Sequence, residues 1–359
     1  MSNNKSEVKH KPAGFFSMIR KSLFFLDPPQ NSLGISIGHQ NIIIVELNKS
    51  QEVPRMVRLT VQEVPEENAN ITDILKAMFQ MGGFSNTFIN ASLSGKAVII
   101  RFLKFPKMSK KELRSALEFE AEKYIPFKIN DIYLDFSVLR SDSNMKFVEV
   151  ALVVAKKDAV HELLTQCQQA NLNVKAIDTD AFACCNAFLA AYPEEKMKTT
   201  ALINIGAKLT NLVIMSEGMP AFSRDIYFGG DDVTKGLSKQ LHINLPEASK
   251  LKYKINDSHD ERIETIVQGI LNHLITEIEL SFDYFENHFQ KKQEPVEVIY
   301  LVGGTSRLGG LADLFEKSLR TKTVLFDPLR CVTVDNSVNQ SVVEQYANSL
   351  AVPIGLALR

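Results

Sequence analysis

The sequence "LGISIGHQNIIIVEL", Leu33–Leu47, decides the fold, because a closely similar stretch occurs again in the second half of the chain. "ALINIGAKLTNLVI", Ala201–Ile214, repeats the order of a strand-like run, a glycine and a second strand-like run. The glycines, Gly38 and Gly206, permit a tight turn between the two runs. Since a repeated supersecondary unit is more informative than a single turn, the sequence predicts two halves that each begin with a β-hairpin.

Length and composition limit the classes of protein to which these hairpins can belong. The chain has 359 residues, enough for about two domains, and its 45% hydrophobic and 23% charged residues are typical of a globular protein. The formal net charge of −1 provides no overall field that attracts nucleic acid, so no nucleic-acid partner is expected. No apolar run approaches the roughly 20 residues of a membrane-spanning helix. The four cysteines form no C-x-x-C pair, which predicts reduced thiols in a cytoplasmic protein and no metal cluster.

Residues 1–31 differ from the rest of the chain and are predicted to form a basic, amphipathic tail and a linker. "FFSMIRKSLFFL", residues 15–26, places its large apolar side chains mostly on one side of a helix, with Arg20 and Lys21 beside them. Basic amphipathic helices bind membrane surfaces, but such a helix can also dock on its own protein, and both interpretations remain open here. "DPPQN", Asp27–Asn31, ends any helix and acts as a linker.

Alternating strand-like and helix-like segments predict an α/β fold with two domains, at residues 32–198 and 199–359. Each domain begins with three strand-like runs, and helices follow. The longest helix is predicted from about Glu261 to Gln290, because apolar residues recur there at spacings of three and four.

A different unit interrupts the first domain at about residues 97–154. In "SKKELRSALEFEAEKYIPF", Ser109 and Glu112 have the spacing of a capping box, which predicts a helix that continues until Pro126. Two strand-like runs, Ile132–Leu139 and Phe147–Val154, come next. One helix against a small sheet predicts an inserted α+β subdomain.

Three glycine-bearing turns each follow an apolar strand-like run: "ISIG" at Ile35–Gly38, "NIGAKLTN" at Asn204–Asn211 and "VGGTSRLGG" at Val302–Gly310. Free backbone amides at such turns bind phosphate oxygens, although any one of them alone is a common structural turn. Their order around a duplicated strand pattern predicts a cleft that binds a nucleotide from both sides. The chain has no G-x-x-x-x-G-K-[ST] motif and no G-x-G-x-x-G that opens a helix, so neither a P-loop nor a Rossmann site is expected.

These turns resemble the phosphate and adenosine motifs of the actin, Hsp70 and sugar-kinase superfamily. Within that superfamily the chain is similar, from about Leu33 to Arg359, to the PilM family of type IV pilus assembly proteins, through "RSALEFEAEKYIPF", "TDAFACCNAF", "INIGAKLTNLVI", "FSRDIYFGGDDVTKGL", "LVGGTSRLGGLADLF" and "LAVPIGLALR". The resemblance implies duplicated actin-like (ribonuclease H-like) domains, with the small α+β subdomain inserted in the first.

The same resemblance implies a function as a cytoplasmic adaptor, peripheral to the inner membrane. Proteins of this family bind ATP between the two domains. They hold the cytoplasmic N-terminal peptide of a PilN-like bitopic membrane protein beside the inserted subdomain, and so connect the membrane complex to the pilus motor and platform proteins. A related type II secretion-like platform is an alternative setting.

The resemblance also implies which residues bind the nucleotide. Residues of the two hairpins face the phosphates, residues near the start of a helix lie by the ribose and phosphates, a lysine contacts the ribose and residues of the last turn pack along the adenosine. The hairpin residues are Gly38, Gly206, Thr210 and Asn211, and the residues near the start of the helix are Gly229 and Gly230. The lysine is Lys252, and the residues of the last turn are Gly303, Gly304 and Ser306.

Two positions depart from the superfamily pattern. Ser36 and Asn204 stand where the superfamily usually has aspartates that orient water around Mg²⁺, and neutral side chains bind this cation less well. Asp180 is the candidate catalytic residue by position and Asp178 the next, although either residue can also be a turn or helix cap. We therefore expect weak or absent ATP hydrolysis.

Two further functions remain as alternatives. An active actin-like ATPase or a sugar kinase would need an aspartate placed to accept a hydroxyl proton, and the sequence offers no convincing acceptor pocket. A division or cytoskeletal protein resembling FtsA would share the fold, but the amphipathic segment of this chain is N-terminal, whereas FtsA normally carries one at its C-terminus.

Overall fold

The computed structural model describes residues 31–65, 70–140, 146–254, 260–288 and 295–359. Almost all of the predicted tail and linker, including residues 15–26, therefore lies outside the described residues, and its contact with a membrane stays a prediction. Among the helices of the described part, none is both long and apolar enough to cross a membrane.

The predicted strands and helices are present, with ends that differ by a few residues. The strands are β1 Asn31–Ile37, β2 Asn41–Asn48, β3 Arg55–Glu63, β4 Phe88–Leu93, β5 Val98–Pro106, β6 Ile132–Arg140, β7 Phe147–Lys156, β8 Asn173–Thr179, β9 Thr200–Ile205, β10 Thr210–Ser216, β11 Met219–Ile226, β12 Val298–Val302, β13 Lys322–Leu325 and β14 Thr333–Val334. The α-helices are α1 Ile71–Gly82, α2 Lys110–Glu120, α3 Lys157–Gln169, α4 Asp180–Ala191, α5 Gly230–Leu241, α6 Leu245–Leu251, α7 Glu261–His288, α8 Leu311–Leu319, α9 Gln340–Tyr346 and α10 Ala351–Ala357.

Two mixed sheets repeat one strand order. The first sheet runs β14-β3-β2-β1-β4-β8 and the second runs β11-β10-β9-β12-β13. In each sheet three consecutive strands form an antiparallel meander. On the other side of the first strand of the meander lie two further strands, both parallel to it. Ile35 lies opposite Ile44 in the first hairpin, and Ile203 opposite Leu212 in the second. The duplication predicted from "LGISIGHQNIIIVEL" is therefore confirmed at the level of whole sheets.

The inserted unit is a three-stranded antiparallel sheet, β5-β7-β6, covered by α2. The predicted capping box begins this helix: Ser109 Oγ accepts from the Glu112 amide at 3.3 Å, and the Ser109 amide donates to Glu112 Oε2 at 2.8 Å. Leu113 and Leu117 are buried against the sheet. The α-helix ends at Glu120, earlier than expected, and a turn of 3₁₀ helix replaces the stretch before Pro126.

Helices α4 and α10 pack between the first and second sheets, in a core that both halves share. This core contains Val45 from the first sheet, Leu202 and Val213 from the second, Phe188 from α4 and Leu356 from α10. The chain thus returns to the first half near its end, since β14 pairs with β3 and α10 contacts β1. The division at residues 198 and 199 remains a prediction.

Candidate functional site

The turns of the two hairpins approach each other beside the start of α5. Each turn is closed by a backbone bond of 2.9 Å, from the Gly38 amide to Asn41 O and from the Gly206 amide to Leu209 O. Gln40 Nε2 in the first turn donates to Asp231 Oδ1 at 2.7 Å, which links the first half to α5. The structure therefore brings the turns of both halves together beside the start of α5, and the space between them is the candidate nucleotide cleft.

A compact group of residues forms the second-half wall of this cleft. The Gly230 amide donates to Gly206 O at 3.0 Å, and Thr305 Oγ1 donates to the same carbonyl at 2.8 Å. Gly230 leaves no room for a larger residue, because an added Cβ would lie 2.4 Å from Thr305 Oγ1 and 3.1 Å from Lys252 Nζ. Four residues from separate segments thus meet at the N-terminus of α5. The first amides of this helix already bond to protein oxygens, so the helix dipole is what favours an anion there.

Lys252 is the cation of this group and is only 1% exposed. Its Nζ donates to Gly230 O at 3.1 Å and to Thr234 Oγ1 at 3.0 Å, and lies 5.0 Å from the centroid of the Tyr253 ring. Burial lowers the pKa of Lys252, and the negative charge of Asp231 opposes this effect. An ammonium has three donors, and no ion pair to a described carboxylate compensates its burial, so this position suits an anionic ligand.

The hydroxyl groups expected to contact the nucleotide are engaged within the protein. Thr210 Oγ1 donates to Phe228 O at 2.8 Å, and Ser306 Oγ donates to Gly303 O at 2.7 Å. Both side chains are buried. In the structure as it stands these hydroxyls hold the turns in shape and are not directed into the cleft.

Several of the glycines are required by packing between protein segments. At Gly303, which has a φ of +91°, a Cβ would lie 2.5 Å from Asn204 Oδ1. At Gly229 it would lie 2.4 Å from Ala207 O, whereas at Gly304 the nearest atom, Ser349 Oγ, is 3.5 Å away. The last turn therefore sits directly against β9, the first strand of the second hairpin.

Neutral side chains occupy the two positions at which the resemblance predicts a departure from aspartate. Ser36 lies on β1 opposite Ile43, and Asn204 lies on β9 opposite Asn211. Asn204 Nδ2 donates to Asn211 Oδ1 at 3.3 Å. No group of three or more His, Cys, Asp or Glu side chains placed to hold a metal ion occurs within the described ranges.

Asp180 lies at the first position of α4 and is not part of the group of residues around Lys252. Ser92 Oγ donates to Asp180 Oδ1, and burial raises the pKa of this carboxyl group. Asp178 is buried in an ion pair with Arg359, and its burial raises its pKa to about 6 against the opposing effect of that arginine. Asp178 therefore has a structural role, and Asp180 borders a separate cavity.

That cavity has a volume of about 500 Å³ and lies between the inserted sheet and the second sheet. The edge strands β5 and β11 form two of its walls, and Asp180 and Asn211 reach it from the side of the hairpins. Four cations line it, and one of them, Arg224, is paired with Glu277. Of the other three, Lys96 lies 5.5 Å from the Tyr227 ring centroid, Lys156 lies 4.6 Å from the Phe127 ring centroid, and Arg101 Nε donates to Tyr124 O at 3.3 Å.

Asp225 and Thr305 belong to these sites but were missed from the sequence. Asp225 on β11 accepts from Asn211 Nδ2 at 2.6 Å and from the Gly95 amide at 3.0 Å. The contact of Asp225 with Asn211 could have been predicted, because pairing of the hairpin strands puts residue 225 opposite Asn211. Thr305 lies within the glycine-rich motif, and only the fold reveals that its hydroxyl bonds to the second hairpin.

Duplicated sheets, an inserted subdomain and facing hairpin turns define a protein of the actin-like ATPase fold. A family model described as "Type IV pilus assembly protein PilM" matches residues 34–359. The chain therefore belongs to the PilM family of type IV pilus assembly proteins.

Two solved structures are similar to this chain, one in sequence and fold and the other in fold alone. The chain is 28% identical to a chain of the "PilM-PilN type IV pilus biogenesis complex", with a TM-score of 0.81, over 91% of this chain and 98% of that one. The ethanolamine utilization protein EutJ from Carboxydothermus hydrogenoformans is 15% identical over 92% of this chain and 90% of its own, with a TM-score of 0.51, and shares the fold alone.

A curated relative matches over a much shorter region. The cell division protein FtsA of Bacillus subtilis (strain 168) is 30% identical over 128 residues, which is 34% of this chain and 29% of FtsA. The match thus spans less than a third of the length of that relative.

Proposed function

We propose that the protein is a cytoplasmic adaptor of the type IV pilus inner-membrane platform. It binds a nucleotide between its two hairpins and the N-terminal tail of a PilN-like bitopic membrane protein beside its inserted sheet, and it contacts the pilus motor and platform proteins. The observation that carries the proposal is the 28% identity, over 91% of this chain, to a chain of the PilM-PilN complex.

The cavity between β5 and β11 is the best candidate for the peptide site. Both strands are sheet edges, and an extended peptide binds such an edge by adding a strand. Its lining combines apolar side chains such as Val98 and Ile100 with the cations Lys96, Arg101 and Lys156. None of these cations forms an ion pair with a described carboxylate, so their charges are available to a ligand.

Peptide binding tests this assignment directly. A labelled synthetic peptide with the N-terminal sequence of the PilN-like protein of the same organism is titrated with the protein and followed by fluorescence anisotropy. Lys96→Glu with Arg101→Glu should weaken binding about tenfold or more, because it reverses two charges at the cavity. Lys322→Glu, one charge reversal on the exposed edge strand β13 outside the cavity lining, is the control and should leave affinity unchanged. Equal affinity of all three proteins would exclude this cavity.

For the nucleotide, we propose ATP bound by the cradle of Gly206, Gly230, Lys252 and Thr305. Lys252 supplies the positive charge, and the N-terminus of α5 supplies the positive end of the helix dipole. ATP supplies the anionic phosphates that compensate this buried cation. Because Ser36 and Asn204 are neutral, Mg²⁺ should add little to the affinity. Calorimetric titration with ATP, with and without Mg²⁺, measures both claims.

Hydrolysis should be weak or absent for the same reason. The attacking water needs a positioned polar or basic group, and Asp180, which borders the neighbouring cavity, is the candidate. Phosphate release from ATP should therefore be far slower than in an active actin-like ATPase, and Asp180→Asn should remove what remains. Rapid phosphate release that depends on Mg²⁺ would refute the proposal that the nucleotide has only a structural role. It would favour an active ATPase instead.

A further inference from the structure

One row of polar side chains crosses the second sheet from the nucleotide cleft to the peptide cavity. Asn204 on β9, Asn211 on β10 and Asp225 on β11 are direct cross-strand partners in the sheet register. At one end, Asn204 Oδ1 lies against Gly303, where a Cβ would approach it to 2.5 Å. At the other end, Asp225 reaches Gly95 in the turn that precedes β5.

The hydrogen bonds along this row are continuous. Asn204 Nδ2 donates to Asn211 Oδ1 at 3.3 Å, and Asn211 Nδ2 donates to Asp225 Oδ1 at 2.6 Å. The Gly95 amide donates to the other oxygen, Asp225 Oδ2, at 3.0 Å. Asn211, Asp225 and Gly95 also line the peptide cavity, whereas Asn204 contacts the turn of the nucleotide cleft.

Asp225 is the residue of the row that bonds to the turn leading into the inserted subdomain. Its two oxygens receive donors from different parts of the molecule, so an ionised carboxylate satisfies both at once. Gly95 has a φ of +66°, and a Cβ on it would lie 3.5 Å from Leu209 Cδ2 in the second hairpin turn. The start of β5 is therefore held against the hairpin that forms the nucleotide cleft.

We propose that Asp225 is a positioning residue that couples the two ligand sites: nucleotide at the Gly303 turn fixes Asn204 and Asn211, and Asp225 thereby holds Gly95 where β5 can receive the peptide. This inference rests on the proposed function, because it requires both ligands. The two states are the Gly95 amide bonded to Asp225 and the same amide released. Since nucleotide favours the bonded state, it strengthens peptide binding, and by linkage peptide strengthens nucleotide binding by the same factor.

A second contact between the inserted sheet and the second sheet provides a matched control. Arg140 at the end of β6 donates to Ser216 O at 3.0 Å and forms an ion pair of 3.1 Å with Glu217. This contact joins the same two sheets through the β10–β11 turn, and no hydrogen bond among the described residues connects it to Asn204. Glu217→Gln therefore weakens the attachment of the subdomain without interrupting the row.

The experiment measures affinity for the PilN-like N-terminal peptide with and without saturating ATP, in the full chain and in two variants. In the unaltered protein ATP should strengthen peptide binding at least about fivefold. Asp225→Asn should bring this ratio to about one, because it replaces one of the two carboxylate oxygens by an NH2 group, which cannot accept from Gly95 or Asn211 at that position. Glu217→Gln should retain the ratio of the unaltered protein.

Hydrogen exchange in the unaltered protein gives a second measurement in case Asp225→Asn does not fold. ATP alone, without peptide, should slow exchange in the segment that contains Gly95 and the start of β5. Unchanged exchange there, a ratio of one or below in the unaltered protein, or a ratio retained in Asp225→Asn would each overturn the coupling. If the unaltered protein binds neither ligand, the proposed function itself fails and the coupling fails with it.

Discussion

Lys252 is a buried side chain whose charge forms no ion pair with a described carboxylate. Replacement by methionine, Lys252→Met, removes the charge but keeps most of the apolar volume, so the protein should remain folded. ATP affinity should fall about tenfold or more, because a charge-assisted bond to phosphate is lost. Calorimetric titration checks this result, and Lys254→Met, an exposed lysine two residues further on, should bind ATP as the unaltered protein does. Equal affinity in both variants would remove Lys252 from the site.

Lys49 at the end of the first hairpin makes stability depend on pH. Its Nζ donates to Arg359 O at 3.0 Å, and burial with the nearby charge of Lys175 lowers its pKa to about 8. Between about pH 8 and pH 10 the unfolded chain holds more protons than the folded protein at this residue, so its contribution to stability rises with pH. Relative to Lys49→Met, the free energy of unfolding of the unaltered protein should rise by about 1 kcal/mol over this range. The rise is smaller than the full difference in pKa implies, because solvent screens part of this half-buried group.

Urea unfolding of both proteins at about pH 7 and about pH 10 measures that difference. The comparison with Lys49→Met cancels the titration of buried thiols such as Cys167, whose pKa burial raises to about 11. A difference that is constant, or that falls as pH rises, would contradict the assignment of a lowered pKa to Lys49.

At the scale of elements, the capping box of α2 stabilises the inserted subdomain. Ser109→Ala removes the oxygen that accepts from the Glu112 amide and should lower the free energy of unfolding by about 1 kcal/mol. Ser115→Ala in the same helix is the control, because Ser115 Oγ bonds only to Lys111 O on the exposed surface and alanine favours the helix interior. Urea unfolding compares them, and an equal loss in both variants would show that the cap contributes nothing.

The sequence was sufficient for elements that depend on local patterns. The hairpins, the capping box at Ser109 and the helix that begins at Glu261 follow from alternation, cap spacing and apolar periodicity, which act between near neighbours. The roles of Asp225 and Thr305 could not be predicted, because their partners come from distant segments. The hydroxyl of Thr210 was assigned to a ligand, whereas in the fold it bonds to Phe228 O.

At the scale of the whole molecule, α10 and α4 join the two halves through one core, and their close contact depends on Gly355. A Cβ at this position would lie 1.8 Å from Ala183 O, a backbone atom of α4 that cannot rotate away. Gly355→Ala must therefore separate the two helices and should lower the free energy of unfolding by about 1–3 kcal/mol. Gly269→Ala in α7 is the opposite case, because no atom lies within 4 Å of a Cβ added at this position. It should raise the free energy of unfolding by about 0.5–1 kcal/mol.

Because the core that Gly355→Ala disrupts is shared, its effect should reach both halves. The chain contains no tryptophan, so hydrogen exchange read by mass spectrometry is the suitable probe of each sheet. The slowest amides of β1 in the first sheet and of β9 in the second should exchange faster by the same factor in Gly355→Ala, as expected when both open in one cooperative step. Faster exchange in β1 alone would mean that α10 stabilises the first half only and that the halves unfold independently.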